Sequence, residues 1–434
     1  METTAAELLK ALVRADTSDP PGNELAALDI LAEVLADAGV AAAVQPTAPG
    51  RGNLLACVPA TRPGGEAPLV LLSHVDVVPA DPAQWDYPPF AARQVDGYIY
   101  GRGTVDTKQL TVMETAALCA LAQKAVRTRD VYLLATADEE CGSALGLQYF
   151  LAHPMELAGR TVDGAALLRG ADVISEGGGF PVLAGGSTLY LCETGQKGCG
   201  TLTFTVKALE DRGPFLASGD AMVRATALAA EMGRLEPEAE PLPAAAAFAA
   251  AMEEACGTPD WPAAVPPVLG SIWRAMTHGT VTPTLLRGKT ASCVEVVCDV
   301  RMLPGVGREA VEALADEAAR RWQCTYALQF TPGYASGGDG PVFEALRAAT
   351  LAHVQADGPC QVVPFVSMGS SDGRFLAPLG ARVYGYSPVY AWDMTFDTAV
   401  QMVHGVNERI HERSLELGCA VLADAVCALA AGGE

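Results

Sequence analysis

The sequence predicts an α/β protein in which a larger domain on a mostly parallel central sheet is interrupted by a smaller α+β domain. Three observations predict it. The 434 residues exceed the roughly 250–300 at which a single core stops growing. The first part alternates helical and strand patterns, the order that builds parallel sheets. From about Leu191 the order changes to strand–helix–strand–strand–helix–strand, which suits helices laid on one face of an antiparallel sheet.

In chain order, "AAELLKALVRA" and "LAALDILAEVLADAGV" read as helices, joined by the turn-rich "DTSDPPGNE". The apolar runs "LVLLSHVDVV" and "VYLLATA" read as strands, with the helix "TVMETAALCALAQKA" between them. In such sheets ligands gather beyond the carboxyl ends of strands. The inserted domain reads as strand "TLTFTVKA", helix "AMVRATALAAEMGRL", strands "VTPTLL" and "CVEVVCDVRM", helix "REAVEALADEAARRW" and strand "TYALQF". An Ala/Pro/Glu-rich stretch, roughly 236 to 267, interrupts it and reads as helical surface material. After about Gly333 the α/β pattern resumes. The expected division is 1–192, an inserted lid at 193–332, and 333–434.

Twenty-nine basic against 51 acidic residues leave a net charge of −22, a field that repels phosphate backbones and anionic membranes. Nucleic-acid and membrane partners are therefore not expected. The N-terminus lacks a basic region followed by an apolar signal core, so a cytoplasmic location is expected. The 12 cysteines are scattered through apolar runs with no CxxC pair, as reduced core residues would be.

Five stretches concentrate ionisable residues beside glycines or apolar runs: "SHVDVV", "GRGTVDTK", "TADEECGS", "ISEGGG" and "MVHGVNE". They supply His74, Asp76, Asp106, Glu139, Glu140, Glu176 and His404. Two histidines with several carboxylates form the ligand set of zinc, with cobalt or manganese as alternatives. Residues two apart on a strand face the same side, so Asp76 can accept the second ring N–H of a metal-bound His74. If the backbone stays extended past "VYLLATA", Glu139 and Glu140 face opposite sides, one toward metal and one free as a base. Asp106 has two oxygens, enough to bridge two ions about 3.5 to 4 Å apart. Taken singly, each residue has a structural reading as well: a core histidine, a helix cap, a loop. Their joint occurrence at the ends of apolar runs points to one site. His153, His353 and His411 fit surface or capping roles, and His278 keeps a second reading. No GxSxG, P-loop or strand-linked GxGxxG motif is present.

Together with "TSDPPGNE", "WDYPPF", "QKG", "DVRMLPG" and "GSSDGRF", these stretches resemble the aminoacylase/carboxypeptidase superfamily of co-catalytic zinc peptidases, most nearly its carboxypeptidase S-like branch. The resemblance spans nearly the whole chain. It implies a two-zinc catalytic domain carrying an inserted lid of the dimerisation type, and hence a homodimer. By position it implies that His74, Asp106, Glu140, Glu176 and His404 are metal ligands, with Asp106 bridging and Asp76 orienting His74. Glu139 matches the general base acting on a metal-bridged water. Arg301 would hold the substrate carboxylate, with Arg374 as a second candidate. The implied substrate is a small peptide or N-acyl amino acid, cleaved at an amide bond beside a free carboxylate.

Two positions depart from the family pattern. The lid histidine that stabilises the oxyanion is missing, and ungapped counting puts Arg212 in its place. The expected asparagine ahead of Arg301 falls on Gly288. Either Arg212, His278 or Lys289 compensates, or the substrate is unusual; a catalytically impaired binding protein of the same fold is the non-enzyme alternative.

Overall fold

The apolar run that ends in His74 forms the strand Leu69–His74, buried along its whole length, as a strand covered on both faces must be. The structure, a computed structural model, describes residues 3–209, 220–237, 239–265, 267–290 and 292–432. Leu69–His74 lies near the middle of a ten-stranded sheet. Val131–Thr136 and Asp172–Ser175 flank it in parallel, and Arg382–Gly385 continues the parallel run beyond Asp172–Ser175. The outer strands include antiparallel pairs, among them the hairpin Ala41–Ala48 and Arg51–Val58, which the sequence reading does not include.

Alternation assigns the two faces. Leu69, Leu71, Leu133 and Ile174 join the core beneath the helices Ala5–Arg14, Glu24–Asp37, Lys108–Ala122 and Glu412–Ala430. Val70, Leu72, Leu134 and Val173 point the other way, to Leu147 and Phe150. With both faces covered, only the strand ends are free for chemistry.

Residues 198–207, 280–290, 293–302 and 325–331 form a separate four-stranded antiparallel sheet. The helices Asp220–Met232 and Arg308–Trp322 share its core through Leu228, Ala315 and Val296, in the strand and helix order expected. The Ala/Pro-rich stretch is helical as expected, but it is not surface material. Pro243–Cys256 and Pro267–Thr277 leave the small sheet and cover the large one at Leu189, Leu191, Val363 and Phe365. Phe248 is 0% and Trp261 3% exposed; two buried rings of this size contribute several kcal/mol of hydrophobic stabilisation by order of magnitude. The low density of large apolar residues among its alanines hides this buried face in the sequence.

Candidate active site

His74 closes its strand with a ring that is 2% exposed. Its Nδ1 lies 3.0 Å from the Asp76 backbone carbonyl and 3.4 Å from Asp76 Oδ1. The orienting contact is thus shared between the backbone and side chain of Asp76. Its Nε2 faces Asp106 Oδ1 at 3.3 Å and Glu176 Oε2 at 3.6 Å. The second Asp106 oxygen lies 3.1 Å from His404 Nε2, which also sits 3.0 Å from Glu140 Oε2. Two groups of donors result, His74–Asp106–Glu176 and Asp106–Glu140–His404, each with its ligand atoms within 4.8 Å of one another. Asp106 belongs to both.

Glycines 101 and 103 let the chain turn before the helix Lys108–Ala122 begins, and Gly103 is at φ +91°. The turn is held from across the fold by Glu408, 0% exposed. Its Oε1 accepts the N–H of Val105 (2.6 Å) and Asp106 (3.0 Å). Its Oε2 accepts Gly103 N–H (3.0 Å) and Arg102 Nη1 (2.8 Å). Burial pushes the Glu408 carboxyl up, while Arg102 and these amides oppose it. Four donors converge on this one carboxyl group.

Glu139 and Glu140 do not continue an extended strand. Asp138 adopts φ +64° and starts a single 3₁₀ turn, Glu139–Cys141, so both carboxylates project from a tight bend. Glu140 N–H donates to Asp76 Oδ2 at 3.0 Å. Glu139 belongs to neither donor group; its Oε1 lies 3.4 Å from Arg374 Nη1. Burial, and next the Glu176 carboxylate, raise the Glu139 carboxyl well above its ordinary range.

The electrostatics bear on which groups the cluster could hold. Burial alone would lower the His74 imidazole, yet Glu176, Asp106 and Asp76 raise it well above its ordinary value. Hydrogen bonds to Asp106 and Glu140 push His404 up to about 10. Imidazoles forced toward the cationic form mark a surplus of negative charge that divalent cations would neutralise. The donor types and the shared carboxylate fit two such ions.

A cavity of about 470 Å³ adjoins both groups. Its lining combines Asp106, Glu139, Glu140, Glu176 and His404 with the apolar Phe180, Phe365, Met368, Phe396, Val400 and Val403. Arg301 is not a lining residue but touches one. Its Nε donates to Asp299 (3.0 Å) and its Nη1 to the carbonyl of Met368 (3.3 Å). Arg374 Nη1 also donates to Ser370 Oγ and the Ser371 carbonyl. Arg212 lies outside the described residues, as does the side chain of Lys289. His278 does not line the cavity; its carbonyl accepts Lys197 Nζ at 2.6 Å and its Nδ1 faces Thr277 Oγ1. His411 caps the last helix, and His353 pairs with Asp424.

Sequence reasoning missed Glu408 and Asp372. Asp372 accepts Ser143 Oγ, and Thr136 Oγ1 at 3.3 Å, tying the Arg374 segment to the Glu139 turn. Both lie inside quoted stretches, "HGVNE" and "GSSDGRF", so the signal was an unassigned acid within a motif.

An α/β sheet beside which two histidines and two glutamates gather around a shared aspartate defines a metal-dependent hydrolase of the peptidase and amidohydrolase type. The chain belongs to Peptidase family M20/M25/M40, whose model matches residues 70–428. It is 27% identical over 379 residues to an N-fatty-acyl-amino acid synthase/hydrolase of Xenopus tropicalis, covering 81% of this chain and 70% of that one. An M20 metallo-carboxypeptidase from Sulfolobus solfataricus shares the fold at 16% identity and TM-score 0.68, over 97% of this chain and 98% of that one. A Bacillus subtilis protein described as a dinuclear metal-binding peptidase does so at 14% identity and TM-score 0.58, over 98% and 97%.

Proposed function

We propose that the protein hydrolyses an amide bond beside a free carboxylate in a small substrate that carries an apolar group. The observation that carries this is a carboxylate, Glu139, that belongs to neither donor group and lines the same cavity as both. His74, Asp106 and Glu176 would hold one divalent cation, and Asp106, Glu140 and His404 the other. Zinc suits the donors, with cobalt or manganese as alternatives. Bound there, such ions supply Lewis-acid polarisation of the scissile carbonyl and a water acidic enough to react near neutral pH.

Glu139 takes the proton of the attacking water on a carboxylate oxygen and returns it to the leaving nitrogen. Its raised pKa matches it to both halves of that transfer. Arg374 steadies the Glu139 carboxylate. Arg301, or Arg374 itself, receives the substrate carboxylate, a task the guanidinium fork suits. Phe180, Phe365, Phe396 and Val400 then face the substrate's acyl or side-chain portion, and an N-acyl amino acid with an apolar acyl group fits best. The test is turnover of N-acyl amino acids against dipeptides: hydrolysis of neither by metal-loaded protein refutes the proposal.

A homodimer through the small sheet is part of the same reading. Leu285 and Leu286 stand 48% and 42% exposed on its edge strand, and Met222 and Val223 are exposed on the neighbouring helix. All twelve cysteines are free, which supports a reducing, cytoplasmic compartment. Among the described residues no helix is long and apolar enough to cross a membrane.

A further inference from the structure

The segment "DPPGNE" ahead of the second helix has no part in the reaction described so far. Its Asp19 and Glu24 are 3% and 0% exposed. With Asp76 they form a third acidic group whose ligand atoms lie within 4.8 Å of one another. Here the countercharge is a side chain. Arg51, 6% exposed, sends Nε to Glu24 Oε2 (2.9 Å) and Nη2 to Glu24 Oε1 (2.5 Å). Its Nη1 and Nη2 reach the two oxygens of Asp19 at 3.2 and 2.7 Å. The loop closes over it at Gly22, φ +80°, where a Cβ would lie 2.2 Å from Arg51 Nε. A side chain there would be strained and would displace the guanidinium.

One contact of Arg51 points toward the active site: its Nη2 lies 3.3 Å from Asp138 Oδ1. Asp138 is the left-handed residue that turns the chain into Glu139 and Glu140, and its Oδ2 accepts Leu145 N–H at 2.8 Å. The bend that presents both glutamates is therefore held on one side by Asp76, through Glu140 N–H, and on the other by Asp138 against Arg51. Buried ion pairs of this kind are weak sources of net stability, so their use here is geometric.

We propose that Arg51 is a positioning residue: braced by Asp19 and Glu24, it fixes Asp138 and so aims Glu139 into the cavity and Glu140 toward His404. The inference rests on the roles proposed above for those two glutamates. A planar fork serves two carboxylates bidentately, which an ammonium cannot, and its charge still attracts Asp138 at 3.3 Å.

The test uses the full chain and two variants. Arg51→Lys keeps the charge and loses the fork; Asp138→Asn leaves Arg51 its other two partners, and serves if Arg51→Lys does not fold. In metal-free protein, hydrogen exchange at the Glu140 and Leu145 amides is expected to quicken roughly tenfold or more. In metal-loaded protein the Co²⁺ dissociation constant should rise and kcat fall by about 10- to 100-fold, as for other outer partners of metal ligands, with KM changed less than about threefold. Folded variants with parental exchange at these amides, or with a lower unfolding midpoint but parental kcat and Co²⁺ affinity, overturn the proposal. If exchange quickens as expected while the parent itself neither binds Co²⁺ nor hydrolyses any amide, the positioning holds and the metal-hydrolase reading falls.

Discussion

Glu408→Gln is a nearly isosteric change whose cost can be counted from the contacts. The carboxylate takes two donors on each oxygen, Val105 and Asp106 N–H on one, Gly103 N–H and Arg102 on the other. A glutamine keeps one acceptor and presents an NH₂ where the other was. Either way round, two donors lose their partner and meet a donor instead. Hydrogen bonds to a charged group are worth about 1.5–3 kcal/mol each, so the variant should be about 3–6 kcal/mol less stable, out of a typical total of roughly 5–15 kcal/mol. Urea unfolding followed by circular dichroism measures this directly. Because Asp106 N–H is one of the four donors, metal affinity should weaken in the surviving folded protein. A variant within about 1 kcal/mol of the parent, with unchanged affinity, would show that Glu408 does not hold the Asp106 turn.

Glu139→Gln should keep its metal and lose turnover by about 10² to 10⁴; parental turnover would remove Glu139 from the proton transfer. Chelation should abolish hydrolysis and Zn²⁺ or Co²⁺ restore it, with full recovery at about two ions per chain; full recovery with one ion would rule out the shared Asp106 site. Glu114, 0% exposed, meets Ser73 Oγ at 2.6 Å, and burial holds its carboxyl well above the ordinary 4.5. A raised acid favours the fold below its unfolded pKa and loses that contribution as pH rises through the folded one. Glu114→Gln, which mimics the protonated form, should therefore be more stable than the parent at pH 8 and level with it near pH 4.5; a pH-independent difference would contradict this. Phe248→Ala should cost about 3–5 kcal/mol in the same unfolding assay, and a loss below about 1 kcal/mol would mean that the inserted helices do not seal the large sheet.

The parts of the fold that announce themselves are those with a strong period. "LVLLSH" is buried along its whole length and "VYLLAT" at every position but Tyr132, and the helix over Arg308–Trp322 keeps its apolar stripe. The same residues locate the site, because a histidine or acid at the end of such a run has few structural uses. Conformation at a single residue is harder to see. Nothing in "TADEE" specifies that Asp138 turns left-handed into a 3₁₀ turn rather than continuing extended. The burial of the helices over 243–277 is hidden in the sequence because alanine is compatible with either environment. Glu408 and Arg51 could not be assigned from spacing at all: their partners lie about 300 and about 30 residues away, and only the folded chain brings them together.

That separation has a consequence for synthesis. His404 and Glu408 emerge from the ribosome long after His74, Asp106 and Glu140. Until they do, one donor group is short of its histidine and the Asp106 turn has no clamp. A fragment ending before residue 404 also lacks the helix Glu412–Ala430 that covers one face of the large sheet. The proposed second metal site and the clamp on the Asp106 turn are thus completed by the same late segment.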